Sequence, residues 1–266
     1  MKTFSLISLR QFYSEIYQIL KETDTNVIEI WWELSKIPFF NQFNKSELRE
    51  FLGNFNFISI QKGNYQDYIA INKILFILDC VNTLEFDIKQ ISEILNYDGF
   101  EILVQEILSR NSYITRKNFR FSDKSNFKSK TLQKRYEIDV IGVYSKFVLL
   151  IDAKQWKRKD SYSSISKAAN LQFRRAIALK KNPEIFSRLI QELLGNKTNL
   201  KKRLPFIIIP LMVTLEDNSF RINNNQIPLV SIYELNSFLQ ELHKNLVYFN
   251  TIQINKIYIQ KKLLRV

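Results

Sequence analysis

136-YEIDVIGVYSKFVLLIDAKQW-156 contains two apolar runs, one carrying Asp139 and the other ending in Asp152-Ala153-Lys154. If the two strands turn tightly at Ser145-Lys146, Tyr144 faces Phe147, and counting outward sets Asp139 opposite Asp152. Side chains alternate along strands, so Lys154 shares the face of Asp152 and Glu137 falls opposite Lys154. Ile141 and Leu150 lie on the same face further in, while Ile138, Val140, Ile151 and Ala153 point the other way. Four charged groups then converge on one end of one face. Ser-Lys is not a favoured two-residue turn, and Gly142 is a candidate bulge. A slip of one residue would scatter the cluster. Charges at the end of a buried hairpin are expensive, and the usual reason to keep them is a metal ion or a reaction. The other reading is a hairpin whose terminal charges form a solvated ion pair.

The Asp-x-Lys tripeptide has a second copy, Asp87-Ile88-Lys89, which opens the helical pattern 87-DIKQISEIL-95 and reads as an ordinary capped helix. The Asp152 copy differs because the continuously apolar 147-FVLLI-151 runs into it and an Asp-bearing strand precedes it. Upstream, 98-DGFEILVQEILSRNSY-113 carries Phe100, Leu103, Val104, Ile107 and Leu108 at helical spacing. Glu101 sits at the edge of that stripe, where a carboxylate can reach a site on the sheet beneath. Glu106 lies further round and is the fallback. A partly exposed surface glutamate is the plainer reading.

A helix with Glu, strands carrying Asp and Asp-x-Lys, and a following helix resemble the PD-(D/E)xK nuclease superfamily. The likeness is to archaeal Holliday-junction resolvases and Mrr-type restriction endonucleases. It rests on 100-FEILVQEIL-108, 137-EIDVIG-142 and 149-LLIDAKQW-156 and covers roughly residues 96 to 215. It implies Glu101, Asp139 and Asp152 as metal ligands and Lys154 as the catalytic lysine. The residue before Asp139 is Ile138 rather than proline. The helix 170-NLQFRRAIAL-179 resembles the same group, and Gln172 is carried over on that likeness. The resolvase resemblance implies a homodimer by analogy.

Charge points to a nucleic-acid partner. The chain has 39 Lys+Arg against 26 Asp+Glu, a net of +13. Residues 110–203 hold 24 basic and 7 acidic residues, a balance of +17, and the remainder is −4. All the excess positive charge is therefore expected around the site, where it would attract a phosphate backbone. The run 116-RKNFRFSDKSNFKSKTLQKR-135 interleaves Phe with Lys and Arg and reads as a strand followed by a mobile basic loop. Arg116, Lys117 and Arg120, Lys157-Arg158-Lys159 and Arg174-Arg175 are the candidate phosphate contacts. The counter-reading is that a lysine-rich composition merely solvates the surface.

Several chemistries are set aside. His243 is the single histidine and Cys80 the single cysteine, which excludes histidine-metal clusters, internal disulfides and Cys-His pairs in easy reach. Cys80 lies in the apolar 74-ILFILDCV-81 and reads as core. Five glycines leave no phosphate-cradling loop. The run 204-LPFIIIPLMVTL-215 is too short to span a membrane and contains two prolines, and the first residues lack a signal-peptide cleavage region. A cytoplasmic protein without membrane contact is expected.

Two domains are expected. Residues 1–95 read as mostly helical, with helices at 11–22, 26–37, 46–55, 68–84 and 87–95, Ser46 opening the third. Between them 56-NFISIQKGNYQDY-68 reads as a small β wing. A winged-helix module is one reading. The 9 basic and 12 acidic residues of 1–95 argue against a phosphate-binding module and make a packing or partner-binding helical domain an equal reading. Trp31-Trp32 and Phe39-Phe40 read as core. In 96–266, helices are expected at 163–181, 184–194 and 233–246, a buried strand at 206–215, a hairpin at 219–232 turning on three asparagines, and a last strand at 252–260. The order gives an α/β fold: a restriction-endonuclease-like core, with a central mixed sheet flanked by helices, after a mostly helical N-terminal domain.

The expected function is a divalent-metal-dependent endonuclease hydrolysing phosphodiester bonds in DNA. Asp139, Asp152 and the Ala153 carbonyl would hold Mg²⁺ or Mn²⁺ through oxygen, and Glu101 would bind directly or through water. Lys154 would orient the attacking water or stabilise the developing oxyanion. The alternatives are a non-catalytic nucleic-acid-binding protein on the same fold and an RNA-directed nuclease.

Overall fold

The computed structural model describes residues 5–123, 135–155, 162–195, 199–216 and 221–258. The chain divides into two compact units, Met1–Phe100 and Glu101–Val266.

The first unit runs α1 (Leu6–Lys21), β1 (Glu29–Glu33), α2 (Lys45–Leu52), β2 (Ile58–Lys62), β3 (Asp67–Asn72), α3 (Lys73–Leu84) and the one-turn α4 (Ile88–Ile91). Its antiparallel sheet has the order β1-β3-β2, so the unit is mixed rather than mostly helical. The helix expected at 26–37 is β1 followed by a short 3-10 turn. Ile30, Trp31 and Trp32 favour extended backbone, and pairing of Trp31 with Ala70 and Trp32 with Ile69 uses it. The helix expected at 68–84 starts only at Lys73, because Asn72 ends the strand and caps the helix through the Leu75 N–H. The wing expected at 56–68 is the β2–β3 hairpin, closed by the Gly63 N–H on the Gln66 carbonyl. Helix α2 opens at Asn44 rather than Ser46, where Asn44 and Glu47 form a reciprocal capping box. Phe39 and Phe40 are core, packed with Phe12 and Phe51, whereas Trp31 is exposed.

The second unit contains α5 (Tyr97–Arg110), whose first turn precedes the division, then β4 (Ile114–Ser122), β5 (Arg135–Tyr144), β6 (Phe147–Lys154), α6 (Tyr162–Lys181), α7 (Pro183–Leu194), β7 (Phe206–Thr214), β8 (Leu229–Ser231), α8 (Leu235–Asn245) and β9 (Ile252–Ile254). The strands form one mixed sheet in the order β4-β5-β6-β7-β8, with β9 also on β7. The β4–β5 and β5–β6 pairs are antiparallel, and β6–β7 and β7–β8 are parallel. The fold is α/β, a mixed sheet flanked by helices. The asparagine turn closes as an Ile222–Pro228 bridge, but the residues after it join the sheet as β8, parallel to β7. The last strand stops at Ile254.

Helices cover both faces of the β4–β6 sheet. Ile141, Val143, Val148 and Leu150 are buried in one core with Ala176 and Leu179 of α6 and Phe186 and Leu189 of α7. On the other face, a Cβ added at Gly142 would meet Tyr113 Cδ1 at 3.2 Å and Leu108 Cδ1 at 3.4 Å. Gly142 therefore allows close approach of α5, rather than a bulge. No helix among the described residues is long and apolar enough to cross a membrane.

Candidate active site

The hairpin pairs Val140 with Ile151 through Tyr144 with Phe147, so the turn is at Ser145-Lys146 as expected. Ser145 takes the left-handed conformation that this turn requires, at φ 55°. The same register continued outward sets Asp139 against Asp152. The β5–β6 ladder stops at Val140–Ile151, whereas β6 stays paired to β7 as far as Lys154–Thr214. Beyond Ile151 the β5 side of β6 is thus open. There the Ala153 N–H donates to Asp139 Oδ2 at 3.0 Å instead of to a strand carbonyl. Opposite Asp139 on β4, between the Lys117–Val140 and Phe119–Ile138 pairs, Asn118 has φ 52°. A left-handed residue breaks alternation. Arg116 reaches Glu192 of α7, and Phe119, three residues on, packs in the same α6–α7 core.

The two aspartates and the lysine meet at this opening. Lys154 Nζ lies 3.4 Å from Asp139 Oδ2 and 3.3 Å from Asp152 Oδ1. Arg175 Nη1, from α6, donates to Asp152 Oδ1 at 2.6 Å and to Gln172 Oε1 at 2.7 Å. Asp152 is 2 % exposed and Asp139 8 %. Burial pushes the Asp139 carboxyl above its ordinary pKa, Asp152 adds to that, and Lys154, the Ala153 N–H and Arg175 pull the other way. For Lys154, burial acts to lower the pKa, but Asp152 and Asp139 outweigh it and the ammonium is held above its ordinary value. Among the described residues, Oδ1 of Asp139 and Oδ2 of Asp152 receive no hydrogen bond. Two carboxylate oxygens without donors among the described residues, beside the Ala153 backbone, fit the hard oxygen donor set of Mg²⁺ or Mn²⁺.

The remaining expected residues lie elsewhere. Gln105 and Ser109 of α5 bond Thr115 on β4, and two residues along Lys117 faces Glu101 at 3.7 Å. That is the α5 face of the sheet, whereas Arg175 reaches Asp152 from the α6 face. Glu101 is thus brought to Lys117, and Glu106 to Arg110 at 3.1 Å. Among the described residues no three Asp, Glu, His or Cys side chains form a metal-holding group. Glu137, expected opposite Lys154, pairs instead with Arg120 at 2.9 Å, directly across β4–β5. The ladder has already opened at that point, so the counted register no longer brings Glu137 to β6.

Of the expected phosphate contacts, Arg116, Lys117 and Arg120 each face a carboxylate and Arg174 is exposed. Gln172 is fully buried and Arg175 points inward, so both serve Asp152 rather than an outer surface. Lys157, Arg158, Lys159 and most of the basic loop lie outside the described residues. The positive charge is not confined to the site end. Lys146 sits at the hairpin turn, and Arg203, after Lys201 and Lys202, donates to the Ser145 carbonyl there. Sequence reasoning placed Arg175 among the phosphate contacts and missed its role beside Asp152. The signal for that role is the Gln172–Arg175 spacing of three, which puts both side chains on one helix face.

No protein-family model matches this chain, and no curated protein matches it. Among solved structures it is similar to protein VC1899 from Vibrio cholerae, at 14% identity and a TM-score of 0.32, over 93% of this chain and 58% of that one. The chain thus spans less than two thirds of that protein's length, and a likeness at this level carries no argument about fold or function.

Proposed function

We propose that this protein is a divalent-metal-dependent endonuclease acting on DNA, built on a restriction-endonuclease-like core. The observation that supports it is the convergence of Asp139, Asp152 and Lys154 where the β5–β6 ladder opens, each carboxylate keeping one oxygen without a donor among the described residues. Asp139, Asp152 and the Ala153 carbonyl would hold Mg²⁺ or Mn²⁺, which supplies charge neutralisation at the scissile phosphate and a water of lowered pKa. Asp139 is fixed by the Ala153 N–H, and Asp152 stands on β6 where it is paired to β7, so both carboxylates are preset. Lys154, kept charged by its two carboxylate neighbours, orients the attacking water and stabilises the developing oxyanion. Glu101, paired with Lys117 on the α5 face of the sheet, is not part of this ligand set.

The test is cleavage of labelled DNA and RNA of several structures with Mg²⁺. Asp139→Ala, Asp152→Ala and Lys154→Ala each abolish cleavage, while DNA is still bound through the basic segment. Cleavage that persists in EDTA, or in Asp152→Ala, defeats the mechanism. The pairing of Glu101 with Lys117 favours a second reading, a nucleic-acid-binding module without catalysis. Binding of Mn²⁺ by the wild type and its loss in Asp152→Ala separates the two.

For the first unit we propose a winged-helix module. The run α1, β1, α2, β2, β3, with β3 central and the β2–β3 hairpin as wing, supports it. Its acidic balance argues that it docks a partner rather than phosphate.

A further inference from the structure

Around the candidate site, two carboxylates are balanced by two cations. Asp139 and Asp152 face Lys154 and Arg175, and the four formal charges sum to zero. A divalent ion added to that set would place two uncompensated positive charges where Asp152 is 2 % exposed. A surplus charge in so enclosed a place is strongly unfavourable. Entry of the metal therefore needs one of the two resident cations to withdraw.

The two are held differently. Lys154 stands on β6 beside Asp152 and touches both carboxylates, at 3.4 and 3.3 Å. Arg175 comes from α6 and uses a single nitrogen, Nη1, for both Asp152 and Gln172. A guanidinium offers five donors in a fork, and a one-point hold leaves most of that geometry unused. Its Nε is buried without an acceptor among the described residues, and so is Nε2 of Gln172. Buried donors without acceptors are rare in settled packing, so the inward pose of Arg175 is the less satisfied of the two. Its side chain also retains 12% exposure, an outlet towards solvent.

We propose that Arg175 is an exchangeable counter-ion. It neutralises Asp152 in the metal-free protein and is displaced from Asp152 when the divalent cation enters, so that it sets the metal concentration at which the site fills. Arg175 is in this sense a positioning and gating residue that acts through Asp152. The inference rests on the metal-dependent nuclease reading.

The experiment is titration of the full chain with Mn²⁺ alone, followed by calorimetry, comparing wild type with Arg175→Gln. Removing the competitor tightens Mn²⁺ binding roughly ten- to hundredfold, the range of one charge-assisted hydrogen bond. Arg175→Lys, which retains the charge but not the fork, falls between the two. Damage to the site weakens or abolishes binding, so tighter binding cannot come from a merely structural role. If Arg175→Gln does not fold, Gln172→Ala decides. It keeps the charge and removes one of the two acceptors of Nη1, and it also tightens Mn²⁺ binding, by a smaller factor. Equal or weaker affinity in the folded variants overturns the exchange and leaves the nuclease reading standing. Failure of wild type and variants alike to bind Mn²⁺ overturns both.

Discussion

Asp139 does two separable things, and two substitutions at this position pull them apart. Its Oδ2 accepts the Ala153 N–H at 3.0 Å in a buried setting where the strand ladder has ended. Its charge sits against Asp152, which together with burial raises its pKa. Asp139→Ala orphans the Ala153 N–H, at about 1–3 kcal/mol. It also loses the Lys154 contact, discounted to about 0–1 kcal/mol because Lys154 is 30% exposed. Asp139→Asn keeps an acceptor in place while removing the charge. The Asn variant is therefore expected to exceed the Ala variant by about 1–3 kcal/mol, or about 2–4 °C in Tm per kcal/mol. Under the proposed nuclease reading, neither variant is expected to cleave DNA. Relative to wild type, the Asn variant carries a pH signature. The folded protein holds the Asp139 proton to higher pH than the unfolded chain does. The contribution of this carboxyl is complete below its ordinary pKa of 3.8 and is lost as pH rises through the folded-state value. Asparagine has no such loss, so the stability of Asp139→Asn gains on wild type as pH rises above 3.8. Scanning calorimetry in EDTA across pH measures both effects. Equal stability of the Ala and Asn variants would refute the ladder-capping role of Oδ2. An Asn variant whose stability relative to wild type stays level or falls as pH rises would refute the charge argument.

Three further outcomes are expected. Lys73 is fully buried and donates to the carbonyls of Asp24 and Ile94, and burial lowers its pKa although Asp24 opposes this; wild type therefore gains stability relative to Lys73→Met as pH rises towards 10.5, read by urea unfolding. Gly142→Ala puts a Cβ 3.2 Å from Tyr113 Cδ1 and lowers stability by about 1–3 kcal/mol, read as a fall in urea midpoint. Reversing charge at Lys157 and Lys159 flattens the salt dependence of DNA affinity by roughly two in log–log slope, and a slope left unchanged moves the phosphate contacts elsewhere.

What is legible in the sequence is what local rules control. The hairpin register follows from a tight turn and strict alternation, and those two rules alone bring Asp139, Asp152 and Lys154 together. The buried β7 follows from apolar continuity, and the end of α6 at Lys181 from Asn182-Pro183. What fails depends on distant partners. Val27, Ile30, Trp31 and Leu34 are spaced as in a helix, yet the pairing of β1 with β3 draws residues 29–33 into a strand. Alternation counts Glu137 onto β6 only if it is extended past the point where the ladder opens. The helical wheel gives the angle of Glu101 on α5 but not which face of the sheet α5 covers.

The opening of the ladder also explains why the charged groups gather where they do. Inside a sheet every backbone N–H has a strand partner, and a carboxylate has none to take. At Ala153 the β5 partner has gone while β7 still holds β6 in place, which leaves one oriented N–H on an otherwise rigid strand. Asp139 takes that donor, and this fixes one carboxylate. Asp152 lies within the β6–β7 ladder, fixing the second, and Lys154 is carried two residues along the same strand. Two of the charged groups thus stand on a paired strand and the third is tied to it by a backbone N–H, and only Arg175 enters on a helix side chain. The groups assigned to ligation and catalysis are the rigid ones, and the group assigned to exchange is the one with freedom to leave.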